Sequence, residues 1–238
     1  MIVNALDLDT LTLKAGAHKP DTGEMSLMEA VAYVAGEPWS ESPVCASPVI
    51  AVFLRSWSDD LGDEVRNRLL KPYVYRLVGT AASQAVEDAR AWMCLDWLVR
   101  SYTPVWLRLA GLVDDAILLE GLPEFRDGVD LWLVRTTTEA ARRKAAAVRI
   151  FARIVRSATG DAARTIRDAT LATACAAGGD GARSGAWTSD KGVAEAAWDA
   201  SLYAIRSADL DALQPAVAKL QLSAMCLLNR MIECLSSI

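Results

Sequence analysis

The chain has 238 residues, 53% of them apolar, and a formal net charge of −5. That length can bury a substantial core, charge interrupts every apolar run before the roughly 18 residues a membrane span needs, and no basic stretch leads into an apolar N-terminal segment of signal type. Five cysteines, Cys45, Cys94, Cys175, Cys226 and Cys234, are widely separated and odd in number, which favours free thiols in a reducing compartment and leads us to expect a cytoplasmic protein with no membrane partner.

Residues 1–23 mix apolar residues with Gly16, Pro20 and Gly23, the pattern of an extended arm laid on a body with Leu11 and Leu13 as anchors. Ser26 followed by Glu29 is a capping box and predicts a helix over 27–35 that stops before Gly36. The next stretch, "GEPWSESPVCASPVI" (36–50), carries three prolines, a tryptophan, a cysteine and two acids, and reads as a stiff corner. Its Ser47-Pro48 end launches a helix over 48–60, with Ile50, Phe53, Leu54 and Trp57 on one face.

Asp59, Asp60 and Gly62 break that helix, and the following one, 63–78, must bend or restart at Lys71-Pro72. Gly79-Thr80 ends it. The spacing of Val86, Ala89, Met93 and Trp97 predicts an amphipathic helix from Ser83 to Arg100. Thr103-Pro104 repeats the cap-then-proline start for a short helix to 109. Another covers 112–121, and 125–134 reads as a short helix or one edge strand.

Helices are then expected over 137–158 and 161–176, a glycine-rich loop over 178–185, and helices over 189–206 and 209–236. The last carries a continuous stripe of Leu213, Val217, Leu220, Ala224, Leu227, Met231 and Leu235. The expected fold is all-α, an irregular bundle or array of about nine to eleven helices. No long polar linker divides it, so we expect a single helical domain over 1–238, with a subdivision near 134 as the alternative.

Charge is arranged rather than scattered. Residues 1–134 hold 20 acids and 11 bases, whereas residues 135–173 hold 3 acids and 9 bases. At about 100° per residue, Arg142, Arg149, Arg153 and Arg156 share one face of the 137–158 helix. Guanidinium groups pair bidentately with phosphate oxygens, so this face is a candidate anion-binding site for nucleic acid or a phosphate ligand. A solvated arginine face, or one paired with the acidic half of the chain, explains the same pattern.

His18 is the single histidine and the natural general base at neutral pH. With Glu29, Glu37, Glu41 and Cys45 it makes a candidate site around the 36–50 corner, although the ligand spacings match no established metal set. Glu29 is already accounted for by the capping box. Three adjacent acid pairs, Asp59-Asp60, Glu87-Asp88 and Asp114-Asp115, point about 100° apart on a helix and make no facing carboxylate pair. Of the eight tryptophans, Trp39, Trp132, Trp187 and Trp198 lie in or near less regular segments, and Trp39, in the corner, is the candidate interface residue. No complete catalytic set or cofactor motif is present. The sequence therefore favours a non-enzymatic helical interaction or assembly protein with a protein partner, itself or another.

The runs "LKAGAH", "SLMEAVAYVAGEPWSESPVCASPVI", "LLKPYVYRLVGT" and "DWLVRSYTPVWLRLAG", within 11–112, resemble a family of uncharacterised actinobacterial and phage proteins that share a GEPxSxxPxCxxPVI-type segment. Members often carry a histidine where this chain has Trp39 and a second cysteine where it has Ser47. The resemblance implies a common helical module, a metal or thiol site around His18, Glu29 and Cys45, and a phage or mobile-element context with a phage or host component as partner.

Overall fold

The computed structural model describes residues 2–109, 113–126, 133, 136–137, 140 and 214–234. Among these the fold is all-α: the β-structure is one isolated parallel bridge between Leu13 and Met25. The helices expected over 137–158, 161–176 and 189–206, the 178–185 loop and position 134 lie outside the described residues, apart from Thr137 and Ala140. The chain divides into two compact units, Met1–Arg90 with Leu228–Ile238, and Ala91–Leu227.

In the first unit the capping box forms as predicted. The Ser26 hydroxyl accepts the Glu29 N–H and the Glu29 carboxylate accepts the Ser26 N–H, starting α1, Leu27–Ala35. Gly36 closes it in a left-handed conformation with φ 71°. A side chain there would be strained twice, because an added Cβ would stand 2.9 Å from Cβ of Val3 in the arm. All of α1 except Tyr33 and Ala35 is buried, so it is a central helix and packs on α2 and α4.

Helix α2, Pro48–Asp60, starts where the Ser47 hydroxyl accepts the Ile50 N–H at 3.2 Å, with Pro48 in the first turn. Ile50, Phe53, Leu54 and Trp57 are all buried. Its C-terminal end depends on Arg66 of α3, Asp63–Leu70, a residue only 2% exposed. The guanidinium donates to the carbonyls of Ser58 and Leu61, which the helix itself leaves open, and pairs with Asp63. The predicted restart at Lys71-Pro72 is a three-residue 3-10 turn, Lys71–Tyr73, before α4, Val74–Leu77.

Helix α5, Gln84–Trp97, runs through a π-helical turn, Leu98–Tyr102, into α6, Thr103–Leu109. The short helix expected to Leu109 forms, but Thr103 is not the cap expected of it. Thr103 has helical dihedrals, and both its N–H and its hydroxyl donate to the Leu98 carbonyl. Pro104 lacks an N–H and its ring crowds the preceding turn; a widened π-turn just before it lets the helical path continue.

In the second unit α7, Val113–Glu120, packs on α6, and Arg108 grips Glu120 with two bonds of 2.7 and 2.8 Å. Asp96 is buried, accepts the Phe125 N–H and pairs with Arg100. Helix α8, Gln214–Glu233, buries Val217, Leu220, Ala224, Leu227 and Met231, which are the described part of the predicted stripe. Its Ser223 hydroxyl receives the Trp97 indole N–H at 3.0 Å.

Candidate functional site

Glu29 sits at the first turn of α1 because the capping box puts it there, and it is 1% exposed. Its two oxygens serve more than the cap. Oε1 accepts the His18 backbone N–H at 2.7 Å, while Oε2 accepts the Ser26 N–H at 2.7 Å and lies 3.2 Å from His18 Nδ1. One carboxylate thus fixes both the backbone and the ring of His18. The other ring nitrogen, Nε2, stands 3.9 Å from the exposed Glu24 carboxylate. Trp39 completes the holder, its indole N–H donating to the His18 carbonyl at 2.8 Å.

Glu41 and Asp59 extend the acidic surroundings. Burial, followed by the negative charges of Asp59 and Glu29, holds the Glu41 carboxyl above its ordinary value, against the pull of Arg55 and a hydrogen bond from Ser26. Asp59 accepts the Gly16 N–H at 2.8 Å. The sequence marked Asp59 only as part of a helix end; no local pattern relates it to a residue 43 positions away.

Glu37 and Cys45 form a separate pair. The Glu37 carboxylate spans the corner and accepts the Val44 and Cys45 N–H groups at 2.6 and 2.7 Å. Burial, a hydrogen bond to Glu37 and the charge of Glu37 push the Cys45 thiol up, away from the thiolate that nucleophilic chemistry requires. The Cys45 carbonyl in turn accepts the N–H groups of Gly79 and Ala81, both at 3.0 Å.

No family model, curated protein or solved structure matches this chain. Its site is therefore read from its own geometry.

The structure brings His18, Glu29 and Trp39 into one hydrogen-bonded group and Glu37 and Cys45 into another. Among the described residues, no three or more of His, Cys, Asp and Glu are grouped so as to hold a metal ion. Arg142, Arg149, Arg153 and Arg156 lie outside the described residues. Cys45, Cys94, Cys226 and Cys234 are not in disulfides.

One polar network escaped the sequence reading. Ser47, Glu87 and Arg90 are all buried; the Ser47 hydroxyl donates to Glu87 at 2.5 Å, and Glu87 pairs with Arg90 at 2.6 Å. Arg90 also donates to the carbonyls of Thr80 and Met231. The Thr80 hydroxyl accepts the Ser47 N–H and donates to the Leu77 carbonyl. Ser47 thereby caps α2 and ties the corner to α5 and the end of α8. The available signal was Glu87 and Arg90 at a spacing of three on one helix, which alone does not distinguish a buried pair from a solvated one.

Proposed function

We propose that this protein is a non-enzymatic helical interaction protein that works by surface contact, in self-assembly or with another protein, in the phage or mobile-element setting suggested by the family resemblance. The observation that carries this reading is the outward face of α7. Asp115, Ala116 and Leu119 are buried there, whereas Val113, Ile117 and Leu118 are 47%, 55% and 57% exposed. A helix that buries an aspartate and leaves three aliphatic side chains exposed has an apolar surface that the described residues leave open. In the first unit, taken by itself, Val44 is 84% exposed on the corner that Glu37 holds rigid.

The polar groups around the corner support the same reading. Glu37, Glu29 and Trp39 hold backbone N–H and C=O groups in place. Such bonds build a rigid scaffold; a catalytic site instead directs those groups at an open position.

Light scattering across a concentration series tests the proposal. Self-assembly that is abolished by the paired substitutions Ile117→Asp and Leu118→Lys, with helicity retained, supports it. A concentration-independent monomer whose interactions with any other protein are unchanged by that pair overturns it.

A second reading, chemistry at His18, rests on the Glu29 contact at Nδ1. A carboxylate so placed fixes the tautomer and orientation of an imidazole that acts through its other nitrogen. Nucleic-acid or phosphate binding through Arg142, Arg149, Arg153 and Arg156 is a further proposal. It is tested by the salt dependence of binding in the wild type and in the Arg149→Ala/Arg153→Ala variant.

A further inference from the structure

The arm, residues 2–18, is held on the first unit mainly through its backbone. Three of its residues have both main-chain groups taken by side chains of the helical body. The Tyr75 hydroxyl accepts the Leu6 N–H at 2.7 Å and donates to the Leu6 carbonyl at 2.6 Å. The Asn67 carboxamide accepts the Leu13 N–H at 2.8 Å and donates to its carbonyl at 3.1 Å. At His18, Glu29 takes the N–H and Trp39 the C=O. Asp59 takes the Gly16 N–H between the last two.

The arm turns at residues 8–10, where the Leu11 N–H donates to the Asp7 carbonyl at 3.1 Å, and its 11–14 stretch is bound as a groove binds an extended peptide: main-chain bonds give affinity, and pockets for alternate side chains give sequence preference. Leu11 and Leu13 are buried and Thr12 between them is exposed. Lys14 reaches Asp63 at 2.9 Å. By contrast Ala5, Asp7, Asp9, Thr10, Ala15 and Ala17 are exposed. Asn67 is itself held by a bond to the Asp63 carbonyl at 2.8 Å, so its carboxamide stands ready whether or not the arm is present. The turn that joins arm to α1, residues 19–24, is exposed throughout.

The geometry points to a peptide-recognition groove, built from Asn67, Asp63 and Asp59, in which the arm is an intramolecular occupant and a partner protein's extended Leu-x-Leu-Lys segment binds in place of residues 11–14. The inference rests on the interaction reading above and names the chemistry of the partner. Because the tethered arm competes at an effective concentration on the order of millimolar, the groove of the intact chain is largely closed to such a segment. Weakening the arm opens it.

The test uses a fluorescent peptide with the sequence of residues 2–18 and the full chain carrying Leu13→Asp. Anisotropy should show binding at least about tenfold tighter than to the wild-type chain, where the tethered arm competes. Adding Asn67→Ala to that variant, or using a peptide with its own Leu13→Asp change, should abolish it. If the Leu13→Asp chain does not fold, a protease site inserted between Thr22 and Gly23 allows the folded wild-type arm to be cut. The released arm should then exchange with labelled peptide, and do so faster with Asn67→Ala.

Absence of binding and of exchange, or either being indifferent to Asn67→Ala, overturns the groove. A one-to-one complex formed on mixing wild-type and Leu13→Asp chains would make a second copy the occupant, and overturn the partner-protein form. Peptide binding measured in the Ile117→Asp/Leu118→Lys variant separates this inference from the α7 reading, since neither residue is among those that line the groove.

Discussion

The Trp39 indole N–H donates to the His18 carbonyl at 2.8 Å, joining the proline-rich corner to the arm across 21 residues of sequence. Replacing Trp39 by Phe keeps an aromatic ring and removes this donor. We expect a loss of about 1 kcal/mol, seen as a lower urea midpoint with an unchanged slope, and faster proteolysis within the arm.

Glu29→Gln is expected to cost more. The buried carboxylate accepts from two backbone N–H groups and contacts the His18 ring, whereas a carboxamide offers one acceptor and turns a donor towards one of the N–H groups. A loss of about 2–3 kcal/mol follows from hydrogen bonds to a charged group, measured by chemical denaturation. Retention of wild-type stability would contradict the assigned bonding.

The Ser47, Glu87 and Arg90 network predicts non-additive effects. Ser47→Ala removes a helix cap and one partner of Glu87 and should cost about 1–2 kcal/mol. Arg90→Ala leaves the Glu87 carboxylate buried without its cation and should cost about 3–5 kcal/mol. The double variant Glu87→Leu/Arg90→Met should recover part of that loss, because it removes both charges together.

Glu41 and Asp63 give stability opposite dependences on pH. The Glu41 carboxyl is raised in the folded chain by burial and by Asp59 and Glu29. The folded state therefore holds its proton more tightly, and stability declines as pH rises from the ordinary carboxyl value of 4.5 through the raised one. Glu41→Gln should be more stable than wild type at neutral pH, with the difference vanishing below that window. Asp63 is lowered by its bonds to Lys14 and Arg66; its contribution is present above 3.8 and is lost as pH falls through the lowered value. Asp63→Asn should remove that acid-side loss in thermal melts recorded across pH.

Thiol labelling should follow burial. Cys226 is exposed, whereas burial pushes the Cys94 thiol to about 12 and Cys234 is buried. At neutral pH a maleimide read out by peptide mass should, among the described cysteines, modify Cys226 first, with Cys45 slower because burial and Glu37 oppose its thiolate. Cys94 and Cys234 should react only on unfolding.

Much of the described helical order is legible in the residues. Ser26 with Glu29, Ser47 with Pro48, and Lys71 with Pro72 act on backbone groups within one turn, so their consequences can be read locally. The anchoring of the arm by Leu11 and Leu13 is legible too, since two leucines separated by one polar residue share a face that is stabilised by burial. Thr103-Pro104 misleads because the same dipeptide starts a helix or widens one, and the turn before it decides which.

The pairing of His18 with Glu29, of Glu37 with the corner N–H groups, and of Asn67 with Leu13 belongs to the tertiary structure. Periodicity and capping describe a residue against its near neighbours in the chain. A carboxylate or carboxamide chooses its partner by which unsatisfied backbone group the packing of α1 to α4 brings within about 3 Å. Composition and spacing alone thus specify the helices and the anchored arm, while packing decides that the polar residues beside them hold backbone and that α7 turns Val113, Ile117 and Leu118 outward.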